Sequence, residues 1–287
     1  MSATHKRQPV DLPPVSLSEY EGVRYLHLGS IWVQGAMRIR KPQQVELDYV
    51  QRMLASLLWL PSAAIGRGDD DESAGPGAAV QLGLGAGAIT RFTAMQLRMP
   101  TTAVEINPEV VTANRLFFHL PESAEVVLGD AADWLAQAET GSVRLLHVDL
   151  YDHEAAAPVL DSADFYAACR SVLEDGGLMS VNLFGRNASF RESIDRIASA
   201  FGADQVWSLR PTREGNTVVV AGRNVGVPDR AELSARAAAI ESRHGALGLP
   251  ARKWLRMVRP YGPAPALETA RSVDPDADDR GLVTPTS

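Results

Sequence analysis

Between residues 78 and 185 the chain repeats one unit: a short continuous apolar run, a turn, then a helical pattern. AAVQLGL precedes ITRFTAMQLR, TTAVEI precedes PEVVTANRLFF, AEVVLGD precedes AADWLAQA, VRLLHVDL leads to ADFYAACRSVL, and GGLMSVNLF ends the series. The apolar runs do not alternate with polar residues, as a strand covered on both faces requires. Strands alternating with helices predict a parallel sheet between two helical layers. Pro108 suits the first turn of its helix, where the missing N–H has no intrahelical partner to lose. After the helical SFRESIDRIASAF come DQVWSLRP and REGNTVVVAG, joined by a reversal at Gly215-Asn216, so the sheet begins parallel and ends in a hairpin.

The flanks differ in character. VRYLHLGSIWVQGAMRI is rich in β-branched and aromatic residues around Gly29-Ser30 and predicts a small antiparallel hairpin. Val45, Tyr49, Met53, Leu54 and Leu57 then recur at helical spacing. GRGDDDESAGPG, at 66–77, reads as a solvated loop, and 230–258 as one or two helices packed outside the sheet. The expected divisions are a disordered 1–16, a hairpin-and-helix region at 17–65, the sheet domain at 66–225, C-terminal helices at 226–262 and a disordered acidic tail at 263–287.

Composition removes several classes of function. With 28 Lys+Arg against 35 Asp+Glu the net charge is −7, the wrong sign for a nucleic-acid binder and compatible with a cationic small substrate. A single cysteine, Cys169, excludes an intrachain disulfide and a four-cysteine zinc site, and its place in FYAACRSVL reads as core. His5, His27, His119, His147, His153 and His244 show no paired ligand spacing, so no metal is expected. The chain carries no run of 18 apolar residues and no apolar stretch of signal-peptide length near Met1. A soluble, cytoplasmic protein without a membrane partner is expected.

In a parallel sheet of this kind, ligands bind beyond the carboxyl ends of the strands. Gly83, Gly85 and Gly87 follow the first strand and let backbone approach a ligand ahead of a helix; a tight β–α turn would select glycine too. Glu105 follows the second strand, where a carboxylate can accept from both ribose hydroxyls or cap a helix. Asp130 follows the third, placed to accept from an exocyclic adenine amine, to cap AADWLAQA, or both. Asp149 and Asp152 follow the fourth, where two carboxylates on one rim suit a substrate ammonium and its proton, or one of them orders the loop. A nicotinamide-binding domain would use Gly83, Gly85, Ala88 and Glu105, but has no particular need of the later acids and would be followed by a catalytic domain of similar size.

A sheet with a parallel body and a hairpin end is typical of S-adenosylmethionine-dependent transferases, a Rossmann-like α/β fold of seven strands. More narrowly, LHLGSIWVQGAM, VQLGLGAGAITRF, VEINPEVV, VVLGDAADWL, VDLYD and LDSADFYAACRSVLEDGGLMSVNLF resemble the spermidine synthase (polyamine aminopropyltransferase) family from about Tyr25 to Gly222. The resemblance implies a small N-terminal β-domain, decarboxylated S-adenosylmethionine as co-substrate, a small-molecule amine as acceptor and a homodimer. It implies that Gln34 touches the nucleoside, Glu105 the ribose and Asp130 the adenine. Asp149 would be the catalytic carboxylate, with Asp152 and the neighbouring Tyr151 holding the amine. Three positions depart from the family. Ala86 stands where its glycine loop carries an acid, VELDYVQRM keeps Tyr49 without the family's following His, and Asp152-His153 replaces Asp-Pro. The nucleoside-facing features are thus kept while two amine-facing ones are not. That leaves open methyl transfer from S-adenosylmethionine itself, or a nucleoside-binding protein without turnover.

Overall fold

A computed structural model describes residues 12–60, 77–150, 160–184 and 188–262. Tyr151, Asp152, His153, both chain termini and the acidic loop as far as Pro76 lie outside the described residues.

Three strands come first: β1 (Val15–Tyr20), β2 (Val23–Leu28) and β3 (Val33–Arg38) form an antiparallel sheet in that order. The expected hairpin is β2–β3; β1 adds a third strand and begins inside the stretch expected to be disordered. The tie is specific, because the Val15 amide donates to Glu109 at 2.8 Å and the Gly29 amide to the Pro14 carbonyl at 2.9 Å. Helix α1 (Asp48–Met53) follows, and its pattern continues as a tighter 3₁₀ turn over Leu54–Trp59 with every residue buried.

The main body runs β4 (Ala78–Leu82), α2 (Ala88–Arg91), β5 (Thr101–Glu105), α3 (Pro108–Phe117), β6 (Ala124–Leu128), α4 (Ala131–Gln137), β7 (Val143–Val148), α5 (Ala163–Val172) and β8 (Leu173–Phe184). Then come α6 (Ala188–Phe201), β9 (Val206–Ser208), β10 (Asn216–Gly222), α7 (Arg230–His244), α8 (Ala251–Leu255) and a two-residue β11 (Arg259–Pro260). The sheet order is β11-β9-β10-β8-β7-β4-β5-β6, with β6, β5, β4, β7 and β8 parallel and β10 antiparallel to both β8 and β9. This is the expected seven-stranded arrangement, extended at one edge by β11.

Strand alternation divides the core. Ala79, Leu145, Leu178, Val218 and Val220 meet α1, its 3₁₀ extension, α7 and α8 on one face. Leu82, Leu146, Val148, Met179, Val181 and Val219 meet α4, α5 and α6 on the other. Cys169 is fully buried in that second layer, and burial pushes its thiol up. A third cluster joins Leu26 and Met37 of the small sheet to Leu84 and Ala86 of the glycine turn and to Val110, Val111 and Phe118 around α3. That contact puts the small sheet over the carboxyl ends of the parallel strands.

The switch in strand order falls at β4, from which the chain goes outward to β5 and β6, then returns to β7 on the other side. A crevice opens at such a point without further sequence instruction.

Candidate functional site

A cleft of about 1000 Å³ occupies this crevice. Gln34, Gly83, Gly85, Glu105, Asp130 and Asp149 all line it, so the fold brings together six of the residues singled out in the sequence. Gly87 does not. It takes a left-handed conformation at the start of α2, and a side chain there would strike Asn114 at 2.6 Å, so its work is to open the helix.

Gly83 has a different reason to be glycine. Its φ is +85°, and a Cβ would lie 2.2 Å from the Asp149 carbonyl, so the turn after β4 and the end of β7 are in backbone contact. Gln81 braces that turn from below: its amide nitrogen donates to the carbonyls of Gly83 (2.7 Å) and Leu84 (3.2 Å), while its oxygen accepts from Thr90. Glu105 ties the turn to β5. Its carboxylate accepts from the amides of Leu84 at 3.0 Å and Asn107 at 2.9 Å, and the residue is only 9% exposed. Burial raises its pKa, against those backbone donors. With a further backbone bond from Ile106, three of the four lone-pair sites are used and one remains for a ligand hydroxyl.

Asp130 fills the capping role expected of it. It caps α4 through Ala132 N–H (2.8 Å) and Asp133 N–H (3.2 Å), both to Oδ1. The same residue lines the cleft. Gln34, from β3, lines the cleft above Gly85, and its amide nitrogen is buried without a hydrogen-bond partner among the described residues.

Asp149 stands at the floor. Burial of its carboxylate raises its pKa to about 6, opposed by hydrogen bonds from Asn182 and Tyr49. Asn182 donates to Oδ1 at 3.0 Å. Tyr49 comes from α1, so the tyrosine kept from the VELDYVQRM block does reach the carboxylate. Arg52 holds that helix in place; it is buried, pairs with Asp48 at 2.6 Å and donates to the carbonyl of Arg210, ahead of β10.

Ala86 is 4% exposed and lies against Gly35, whose Cβ would fall 2.4 Å from the Ala86 nitrogen. Together they border a recess of about 20 Å³, also lined by Gln34, Tyr49, Gln81 and Asp149. Asp149 is the one carboxylate on its wall.

The sequence reading missed Asn182, Asn216, Glu46 and Glu214, all of which line the cleft. A signal for Asn182 was present. Gln81, His147, Ser180 and Asn182 are polar positions inside otherwise apolar strands, and the register sets Gln81 beside His147 and His147 beside Ser180. His147 is a core residue partnered at Nδ1, 2.7 Å from Ser180, but its Nε2 is buried without a partner among the described residues; burial lowers its pKa to about 4. Among the described residues no group of three His, Cys, Asp or Glu could hold a metal ion, and no helix is long and apolar enough to cross a membrane.

Known proteins add an independent line. No family model matches the chain. A polyamine aminopropyltransferase of Chromobacterium violaceum is 31% identical over 239 residues, covering 82% of this chain and 86% of its own. One from Neisseria meningitidis serogroup A is 30% identical over 213 residues, covering 73% and 76%. Among solved structures, a probable spermidine synthase from Corynebacterium glutamicum superposes with a TM-score of 0.63 at 17% identity, over 89% of this chain and 95% of that one. Human methyltransferase-like protein 13, in complex with SAH, gives 0.55 at 19% identity, over 77% and 98%. The fold is therefore common to proteins named for two different reactions, and it is the two aminopropyltransferases at 30% identity or more that decide the family. The chain belongs to the polyamine aminopropyltransferase family.

Proposed function

We propose that the protein transfers an aminopropyl group from decarboxylated S-adenosylmethionine to an amine, releasing methylthioadenosine. The observation that carries this reading is the Asp149 carboxylate, buried at the cleft floor between Tyr49 and Asn182 with its pKa raised to about 6. An amine must lose a proton before its nitrogen can attack, and a carboxylate poised near neutrality is suited to take it. In the step, the amine nitrogen forms a bond to the carbon beside the sulfonium, and the bond from that carbon to sulfur breaks. The sulfonium leaves as the neutral thioether, and the ammonium proton passes to Asp149. Holding the two reactants in line supplies much of the rate.

On the nucleoside side, Glu105 is assigned to the ribose, Asp130 to the adenine, and Gln34, Gly83 and Gly85 to the sugar and sulfur end. The buried, unpartnered amide of Gln34 supports this, since such a donor gains a partner when a ligand enters. On the other side the acceptor meets Glu214, which has no ion pair among the described residues, while Glu46 and Asp48 are neutralised by Arg38 and Arg52. A carboxylate of this kind at the rim suits a cation. Asp152 and Tyr151 belong to the same reading as further amine contacts. So do a cytoplasmic setting and a homodimer, the latter tested by light scattering on a sizing column.

One observation favours a second reading, methyl transfer from S-adenosylmethionine: the recess under Ala86 offers no carboxylate but Asp149 to an ammonium tail. A single experiment separates the two. The protein is incubated with each donor and a panel of di- and triamines, and the nucleoside products are identified by mass. Methylthioadenosine with the decarboxylated donor supports aminopropyl transfer; adenosylhomocysteine with S-adenosylmethionine supports methyl transfer. Neither product, with nucleoside binding intact, leaves a binding protein.

A further inference from the structure

The hydrogen bond from Asn182 to Asp149 is the last of a directed series. Thr212 sits in the loop between β9 and β10, and its hydroxyl lies 3.5 Å from the side-chain oxygen of Asn216. The Asn216 amide nitrogen donates to the Asn182 side-chain oxygen at 3.2 Å, and the Asn182 amide nitrogen donates to Asp149 at 3.0 Å. Backbone bonds between Thr212 and Asn216 fix the first residue of β10, through the Thr212 amide to the Asn216 carbonyl at 2.8 Å and the Asn216 amide to the Thr212 hydroxyl at 3.2 Å.

A carboxamide has two unlike ends of nearly the same shape, and its neighbours decide which way it points. Asn182 is 3% exposed, so its amide has little access to bulk water. Reversing it alone would set its NH₂ against the NH₂ of Asn216 and its oxygen against a carboxylate. Both contacts repel.

We propose that Asn216 is a positioning residue for Asp149, acting through Asn182: by occupying the Asn182 oxygen it keeps the Asn182 NH₂ on Oδ1 of the carboxylate. The proposal rests on the reading of Asp149 as the group that takes the amine proton. Its physical content is nonetheless independent of turnover, because a donor lost from a buried carboxylate makes ionisation harder. The other groups around Asp149 are Tyr49 from α1, Glu46 and Asp48 in their ion pairs, Glu105 from β5, Asp130 after β6, and Glu214 beside Asn216. His147, two residues back on β7, is held by Ser180.

The test is a direct titration of Asp149. The protein is labelled at aspartate side-chain carbons, and the Asp149 signal is identified by its loss in Asp149→Asn. Asn216→Leu removes the partner of the Asn182 oxygen without adding charge; the Asn182 NH₂ is then less firmly held on the carboxylate, and the carboxyl is expected to titrate higher by roughly half a pH unit, a part of the one to two units that a whole hydrogen bond to an ionised group is worth. Asn216→Asp should move it further. The new carboxylate would draw the Asn182 NH₂ to itself and turn the Asn182 oxygen toward Asp149. Asn216→Ser keeps a donor and is expected to restore much of the original titration. Thermal melts establish that each variant is folded, and Asn182→Ala removes the donor one step nearer should the Asn216 variants fail.

Where turnover is measurable, the acid limb of kcat/KM should follow the same order, with kcat affected more than KM for the amine. Folded Leu and Asp variants whose Asp149 titrates as in the unaltered protein would overturn the proposal. If the titration shifts as described while neither methylthioadenosine nor adenosylhomocysteine is ever formed, the functional reading falls and the positioning role stands.

Discussion

Glu105 and Asp130 each end a strand and accept hydrogen bonds from amides of adjoining turns; Asp149 ends a strand too, but its carboxylate is held by Tyr49 from α1 and Asn182 from β8, with Asn216 from β10 behind. One half of the cleft is made by strand–turn–helix units that carry their own donors. The other is assembled from three elements far apart in sequence. Backbone donors cannot be mutated away or rotated, so the first half is insensitive to substitution nearby. The second depends on side-chain orientation, which packing at a distance can alter. The lesson is that two carboxylates at equivalent places in a repeat can differ in what makes them dependable.

The largest effect should come from cutting into the assembled half. Asp149→Asn keeps the shape and removes the proposed base, and a turnover loss of roughly 10²-fold or more is expected with methylthioadenosine affinity nearly unchanged. Its stability should move the opposite way. Asp149 has its folded pKa raised above the unfolded value near 3.8, so stability drains as pH rises toward and through about 6. Removing the charge should therefore raise the unfolding free energy at pH 8 by about 1–3 kcal/mol after allowing for water in the cleft, read as a higher melting temperature, with no gain at pH 4. Equal melting of both proteins at pH 8 would mean that the carboxylate is not desolvated. In the unaltered enzyme, kcat/KM should fall about tenfold per pH unit below about 6, as Asp149 takes up a proton.

Next comes the self-contained half. Glu105→Ala should weaken methylthioadenosine binding by roughly 1.5–3 kcal/mol by calorimetry. It should also destabilise the fold, because the Leu84 and Asn107 amides lose a buried acceptor. Asp130→Ala loses an N-cap as well as a cleft acceptor, and a stability loss of about 1 kcal/mol should accompany its binding defect. Unchanged thermal stability in both variants would erase the distinction between the halves.

The smallest effect belongs to Glu214, which is exposed at the cleft rim. Glu214→Gln should raise KM for a diamine by a factor of roughly 2–5, shrinking with added salt, since exposed charges contribute under about 1 kcal/mol. A salt-independent change would point to shape rather than charge.

The contrast between the halves also explains what could be read from the sequence. Runs such as TTAVEI and AEVVLGD carry strand, turn and acid together, so Glu105 and Asp130 follow from local pattern and the end-of-strand rule. Asn182 and Asn216 do not. They become neighbours only because β10 pairs antiparallel with β8, and the register that seats Asn216 opposite Phe184 is a tertiary fact. β1 was missed for a related reason: its VSLSEY alternates weakly, and it is held by β2 and Glu109 rather than by its own propensity. Tyr49 was visible as a helical residue, but its contact with Asp149 depends on Arg52 bridging α1 to the loop ahead of β10.

The meeting of Gly35 with the Ala86 backbone bears on how the donor end of this cleft can diversify. The atom nearest to a Cβ at 35 is the amide nitrogen of 86, so trimming residue 86 to glycine would create no room. The two positions are coupled in one direction only: 86 can be explored while 35 stays glycine, and 35 cannot be explored at all while β3 lies on the turn. A library randomised at both should return a few small residues at 86, where the adjoining recess is only about 20 Å³, and almost nothing but glycine at 35. Heritable change in donor preference would then have to accumulate on the turn, leaving the overlying strand as its invariant template.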